Sequence, residues 1–92
     1  MTEISVEATR TTDGWTCRVD LADPDGSQTQ HQVRVTRADL ERFAPAADDP
    51  ADLVRRSFEF LLERESKESI LRAFDLPVIA RYFPEYERAI RV

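Results

Sequence analysis

The 92 residues contain one cysteine, one histidine, one lysine and two glycines. A lone Cys17 excludes an internal disulfide and a cysteine metal cluster. His31 has no neighbouring pattern of carboxylates or thiols, so metal-ligand spacing is absent. Gly14 and Gly26 both fall in turn sequences, which leaves no glycine loop to cradle a phosphate and no Gly-x-Ser-x-Gly elbow. No apolar run is long enough to span a bilayer. The opening MTEISVEATR alternates in polarity and does not read as the apolar region of a signal peptide. Thirteen basic residues face 18 acidic ones, for a net charge of −5. That balance argues against nucleic-acid or anionic-membrane partners, which select for Lys/Arg excess. The expectation is a cytoplasmic protein with no cofactor, no metal and no membrane partner, and enzyme is the least favoured class.

What is present is charge and a single long helix signal. Charged residues make up 34% of the chain. Apart from Lys67 the basic residues are all arginine, which with abundant Ala and Asp suggests a high-GC prokaryotic genome. A chain of this length forms one domain, residues 1–92, with a modest core.

The segment DPADLVRRSFEFLLERE, Asp49 to Glu65, organises the rest. Asp49 is placed to cap and Pro50 to open a helix over residues 50–64. At about 100° per residue, Leu53, Val54, Ser57, Phe58, Phe60, Leu61 and Leu62 share an arc of roughly 200°. Asp52–Arg56 and Arg55–Glu59 are i,i+4 opposite-charge pairs on the other side. So wide an arc needs a sheet or further helices over it.

The N-terminal third predicts that sheet, spanning residues 3–36. Ile4, Val6 and Ala8 alternate with polar residues, as do Trp15, Cys17, Val19 and Leu21. Asp13-Gly14 favours a two-residue type I′ turn, pairing Arg10 with Cys17 and Ala8 with Val19. Asp23-Pro24-Asp25-Gly26-Ser27 is a second turn cluster. It leads into a strand carrying Thr29, His31, Val33 and Val35 on one face, with Val33 beside Cys17 and Val35 beside Trp15. The outcome is a three-stranded antiparallel meander, apolar on one face and wet on the other.

Thr36 and Asp39 make a capping-box pattern for a helix over 37–44, ended by Ala44-Pro45. Ser66 then caps a short helix over 67–74, marked by Ile70, Leu71 and Phe74. A last helix over 77–90 is kinked or split at Pro84. No further strand is legible after the first helix. The fold class is α+β, a three-stranded antiparallel meander with helices packed on one face.

Three groups of residues are candidates for chemistry or contact. His31 and Cys17 read as buried core groups, with a small hydrolase around His31 a distant third function. Tyr82, Phe83, Pro84 and Tyr86 place three aromatics within five residues at a forced bend, and aromatic residues concentrate at interfaces. Arg18, Arg34, Gln30 and Gln32 lie on the outer sheet face and could read base edges. The same strands also carry Glu7 and Asp20.

Ser57 to Glu65 (SFEFLLERE), Glu68-Ser69-Ile70-Leu71-Arg72, Phe74 to Ile79 (FDLPVI) and Tyr82 to Tyr86 (YFPEY) resemble a family of short uncharacterised prokaryotic proteins. The resemblance covers the C-terminal half and implies no functional residues. In topology alone, a meander followed by helices resembles HicB-type antitoxins. The expected function is a small non-enzymatic protein-interaction or regulatory module, with a protein partner or a second copy as a homodimer. Its contacts come from the Tyr82–Tyr86 knuckle or from a free sheet edge, strand one or three. The alternative is a nucleic-acid-associated, antitoxin-like regulator using the outer sheet face.

Overall fold

Alternating apolar and polar residues build three long strands, β1 (Glu3–Arg10), β2 (Gly14–Ala22) and β3 (Gln28–Thr36). The computed structural model describes residues 1–91. β2 pairs antiparallel with both neighbours. Trp15, Cys17, Val19 and Leu21 of β2 are buried, as are Thr29, His31, Val33 and Val35 of β3. Their alternates Arg18, Gln30, Gln32 and Arg34 are exposed. Trp15 faces Val35 and Cys17 faces Val33, as the loop length from Asp23 to Ser27 predicts.

The first hairpin differs from its expected register by two residues. Arg10 faces Trp15, Ala8 faces Cys17 and Val6 faces Val19. Gly14 is not in the left-handed region; among the described residues Gly26 alone has a positive φ, at 91°. Gly14 serves a different purpose. It pairs with Thr36, and a Cβ there would overlap the Val35 carbonyl oxygen and the Thr36 backbone. The turn therefore shifts back by one residue to Thr12-Asp13, closing through Thr11 N–H to the Gly14 carbonyl at 2.9 Å.

α1 (Arg37–Phe43) starts as the sequence predicts. Thr36 Oγ1 accepts from Asp39 N, and Asp39 Oδ2 accepts from Thr36 N, both at 3.0 Å. Leu40 and Phe43 turn inward. α2 (Ala51–Leu62) is shorter than expected, and Pro50 occupies the capping position in place of Asp49. The Asp49 carboxylate still accepts from Ala51 N at 2.7 Å. Leu53, Val54, Ser57, Phe58, Phe60 and Leu61 are buried, so the broad arc is covered. Arg56 bonds Asp52 at 2.9 Å, but Arg55 donates to the Ile4 carbonyl on β1.

The predicted helix over 67–74 is not formed. A 3-10 turn (Lys67–Ser69) is followed by β4 (Ala73–Asp75), which adds parallel to β3. The sheet is thus four-stranded and mixed, in the order β1-β2-β3-β4. β3 is an interior strand, not the free edge expected; β1 and β4 are the edges. Gln32 N–H donates to the Arg72 carbonyl at 2.8 Å and Leu76 N–H to the Arg34 carbonyl at 3.0 Å. Lys67, buried to 5%, donates to Asp23 Oδ2 at 2.5 Å and Ser27 Oγ at 2.7 Å. That pairing ties the 3-10 turn to the β2–β3 loop. The C-terminal segment splits at Pro84 into α3 (Val78–Tyr82) and α4 (Tyr86–Ile90).

Gly14 is the residue on which the β2–β3 approach depends. Gly14→Ala is expected to destabilise by about 2–3 kcal/mol through overpacking against backbone. Gly26→Ala, in open space at positive φ, should cost only about 1–2 kcal/mol. Urea denaturation of the two variants checks the ranking.

Candidate functional site

Each sequence-predicted group has a definite place. His31 is a satisfied core histidine at 1% exposure. Nδ1 lies 2.7 Å from the Leu71 carbonyl, which can only accept, so Nδ1 carries the proton. Nε2 then accepts from the Thr29 hydroxyl at 2.8 Å. Burial is the largest cause holding the imidazole below its ordinary pKa. Cys17 is fully buried, and burial, with a smaller effect of the Asp49 charge, pushes its thiol up to about 11. A thiol so rarely ionised is a poor nucleophile. Among the described residues no group of His, Cys, Asp and Glu is arranged to hold a metal ion.

The aromatic knuckle divides between core and surface. Tyr86 is fully buried, with its ring 5.3 Å from those of both Phe43 and Phe60. Its hydroxyl donates to Ser57 Oγ at 2.6 Å, and Ser57 donates on to the Leu53 carbonyl at 2.7 Å. That relay explains a serine on the apolar arc of α2. Burial pushes the Tyr86 phenol up to about 12. Tyr86 therefore cannot belong to a contact surface. Phe83 is half-buried, edge-on to Phe60 at 5.8 Å, and Pro84 is exposed. Tyr82 is 67% exposed.

The sequence reading missed the partner of Tyr82. Leu71 follows the 3-10 turn, is 48% exposed, and lies across a groove from it. The groove holds about 260 Å³ between the end of α2, the approach to β4, and α3. Leu61, Ile70, Leu71, Phe74, Tyr82 and Phe83 supply its apolar wall, with Glu65 and Ser69 among the polar lining. The signal that could have exposed it was Leu71 itself, an apolar residue between buried Ile70 and exposed Arg72, in a stretch that belongs to no strand or helix.

The outer sheet face brings Arg18, Gln30 and Gln32 together and leaves Arg34 at one end. Arg18 pairs with Asp20 at 3.2 Å, and Gln30 donates to the same carboxylate at 3.0 Å. Arg34 pairs with Asp75 on β4 at 2.6 Å. Both arginines thus already face a carboxylate, and Glu7 adds more negative charge to the same surface. A larger depression of about 560 Å³ at the Gly14 end has a mixed lining, with Asp13, Asp39 and Asp75 beside Trp15, Val35 and Pro77. Among the described residues no helix is long and apolar enough to cross a membrane. No family model, curated protein or solved structure matches the chain, so the geometry has to carry the functional reading.

Three outcomes follow from these placements. Tyr86→Ala should cost about 3–5 kcal/mol, as for a large core truncation. Tyr82→Ser, at the surface, should stay within about 0.5 kcal/mol of the parent in urea denaturation. His31 has the opposite sign to a paired histidine. Its folded pKa lies below its unfolded value, so the unfolded chain takes up the proton first. Its contribution is complete above about pH 6.5, the unfolded value, and falls away as pH drops through that point. Melting temperatures between pH 7.5 and 5.5 should fall more steeply in the parent than in His31→Gln.

Proposed function

We propose that the protein is a small non-enzymatic protein-interaction module whose contact surface is the groove between Leu71 and Tyr82. The observation that carries this reading is the exposure of those two large side chains, 48% and 67%, at the mouth of an apolar groove. Among the described residues, Met1 is the only other large hydrophobic so exposed. Exposed apolar surface grouped around a concavity marks contact sites more often than scattered single residues do. Tyr82 has the character of an anchor, with a ring to bury and a hydroxyl that stays wet. The groove suits one or two apolar side chains of a partner polypeptide, with Glu65 and Ser69 as polar rim.

The nucleic-acid reading has less support. Its arginines are already paired with Asp20 and Asp75, and releasing them would leave those carboxylates facing phosphate.

Selection of a random peptide library on the immobilised chain tests the proposal. Enriched peptides should carry large apolar anchors. Leu71→Ser or Tyr82→Ser should weaken them at least about tenfold, the scale of a truncated contact residue. Arg18→Ala and Arg34→Ala should leave them unchanged. Failure to enrich any peptide, or binding indifferent to Leu71 and Tyr82, removes the reading.

A further inference from the structure

The two edges of the sheet are protected to different degrees. β4 is only three residues long, which makes it a poor template for another strand. β1 is eight residues long and contains no proline, no lysine and no bulge; its pairing with β2 runs unbroken from Glu3 to Arg10. Its inward residues Ile4, Val6 and Ala8 are apolar but only partly covered.

Two contacts show which backbone groups of β1 are free. Thr11 N–H bonds the Gly14 carbonyl, so the odd-numbered residues Thr9, Glu7, Ser5 and Glu3 continue that hydrogen-bonded set towards β2. The Ile4 carbonyl is reached from outside by Arg55, which places the even-numbered residues on the open side. The N–H and C=O groups of Ile4, Val6, Ala8 and Arg10 therefore point away from the sheet.

We infer that a second copy of this chain docks here, its β1 antiparallel to the first across a two-fold axis at Val6. The charges select that register. Centring the axis on Glu7 sets Glu7 against Glu7. Centring it on Ser5 sets Glu3 against Glu7. Like charges directly opposite are destabilising. With Val6 on the axis, Ile4 faces Ala8, Ser5 faces Glu7 and Glu3 faces Thr9, with no like pair on either face. Registers further out pair fewer residues. The outward groups of Ile4, Val6 and Ala8 then bond their counterparts. Ile4, Val6 and Ala8 also extend the apolar layer from one chain to the next. Arg55 must leave the Ile4 carbonyl, so it competes with the second strand and sets a limit on affinity. A strand-edge contact falls at the small end of specific interfaces, so association is weak and concentration-dependent.

Sedimentation from about 5 to about 500 µM covers the weak end of specific affinities. The parent chain should shift from one copy towards two, and Arg55→Ala should do so at equal or lower concentration. Ala8→Pro removes only an outward N–H, which an edge strand tolerates, and should stay single. Mixing Ser5→Cys with Glu7→Cys under mild oxidation should give a mixed disulfide that neither variant forms alone; the buried Cys17 does not interfere. Both substitutions are at exposed positions, so this arm does not depend on Ala8→Pro folding. A parent chain that stays single throughout, or association indifferent to Ala8→Pro in a folded variant, overturns the inference. So does crosslinking of Ser5→Cys or Glu7→Cys to itself. None of these outcomes bears on the groove at Leu71 and Tyr82.

Discussion

Phe58 lies with its ring centre 5.4 Å from that of His31 and 6.1 Å from that of Phe74. One side chain of α2 thus meets both β3 and β4 at the centre of the core. The meander can form from its own turns and alternation. The later segments have no such local rule, and Phe58 gives them a common surface to fold against. His31 supplies the other constraint. Buried and neutral, it must find an acceptor for Nδ1–H, and the Leu71 carbonyl is that acceptor. The approach to β4 is therefore held by a hydrogen bond from the sheet and by a ring from the helix. Lys67 adds a charged tie to Asp23 at the start of the same segment.

The two contacts also determine where apolar surface is left over. Once Leu71 gives its carbonyl to His31, its side chain is directed outward, while Ile70 and Phe74 on either side are buried. At the C-terminus, Pro84 separates Tyr82 from Tyr86 into different helices. Tyr86 is drawn in because Ser57 receives its hydroxyl on an otherwise apolar helix face. Tyr82 has no such partner on α2 and stays at the surface. The groove between Leu71 and Tyr82 is thus a consequence of how the core is satisfied, Leu71 through its own carbonyl on His31 and Tyr82 through the bond that draws Tyr86 inward.

The sequence made the meander legible because two signals agree there: period-two alternation and turn chemistry. Alternation cannot distinguish registers two residues apart, since both place the same side chains on the same face. That is why the first hairpin slides without exchanging its inner and outer residues. Asp13-Gly14 suggested a need for positive φ, whereas Gly14 is required by the Thr36 backbone beside it, a contact remote in sequence. β4 was illegible for a different reason. Three residues are too few to show a period, and Ile70 with Phe74 fits helical spacing equally well. What ends the helix there is the unpaired side of β3, which local sequence does not record. For the candidate site, the aromatic cluster at residues 82–86 was visible, but its division between core and surface depends on Ser57, and its partner Leu71 on His31.

The positions of the two surfaces in the sheet order matter for how they would work together. β1 and β4 are opposite edges, and the groove lies beside β4. Two copies joined through β1 would keep both grooves unobstructed, at the far ends of a continuous sheet. A partner carrying two matching segments would then be held at both, the second engagement being intramolecular. Linked sites of this kind can exceed a single contact by about 10²–10⁴ in affinity when the linker spans them. A groove of about 260 Å³ offers little binding energy alone. Weak pairing through an edge guarded by Arg55 would make that gain depend on protein concentration, so partner capture would rise more steeply than in proportion to the amount of chain present.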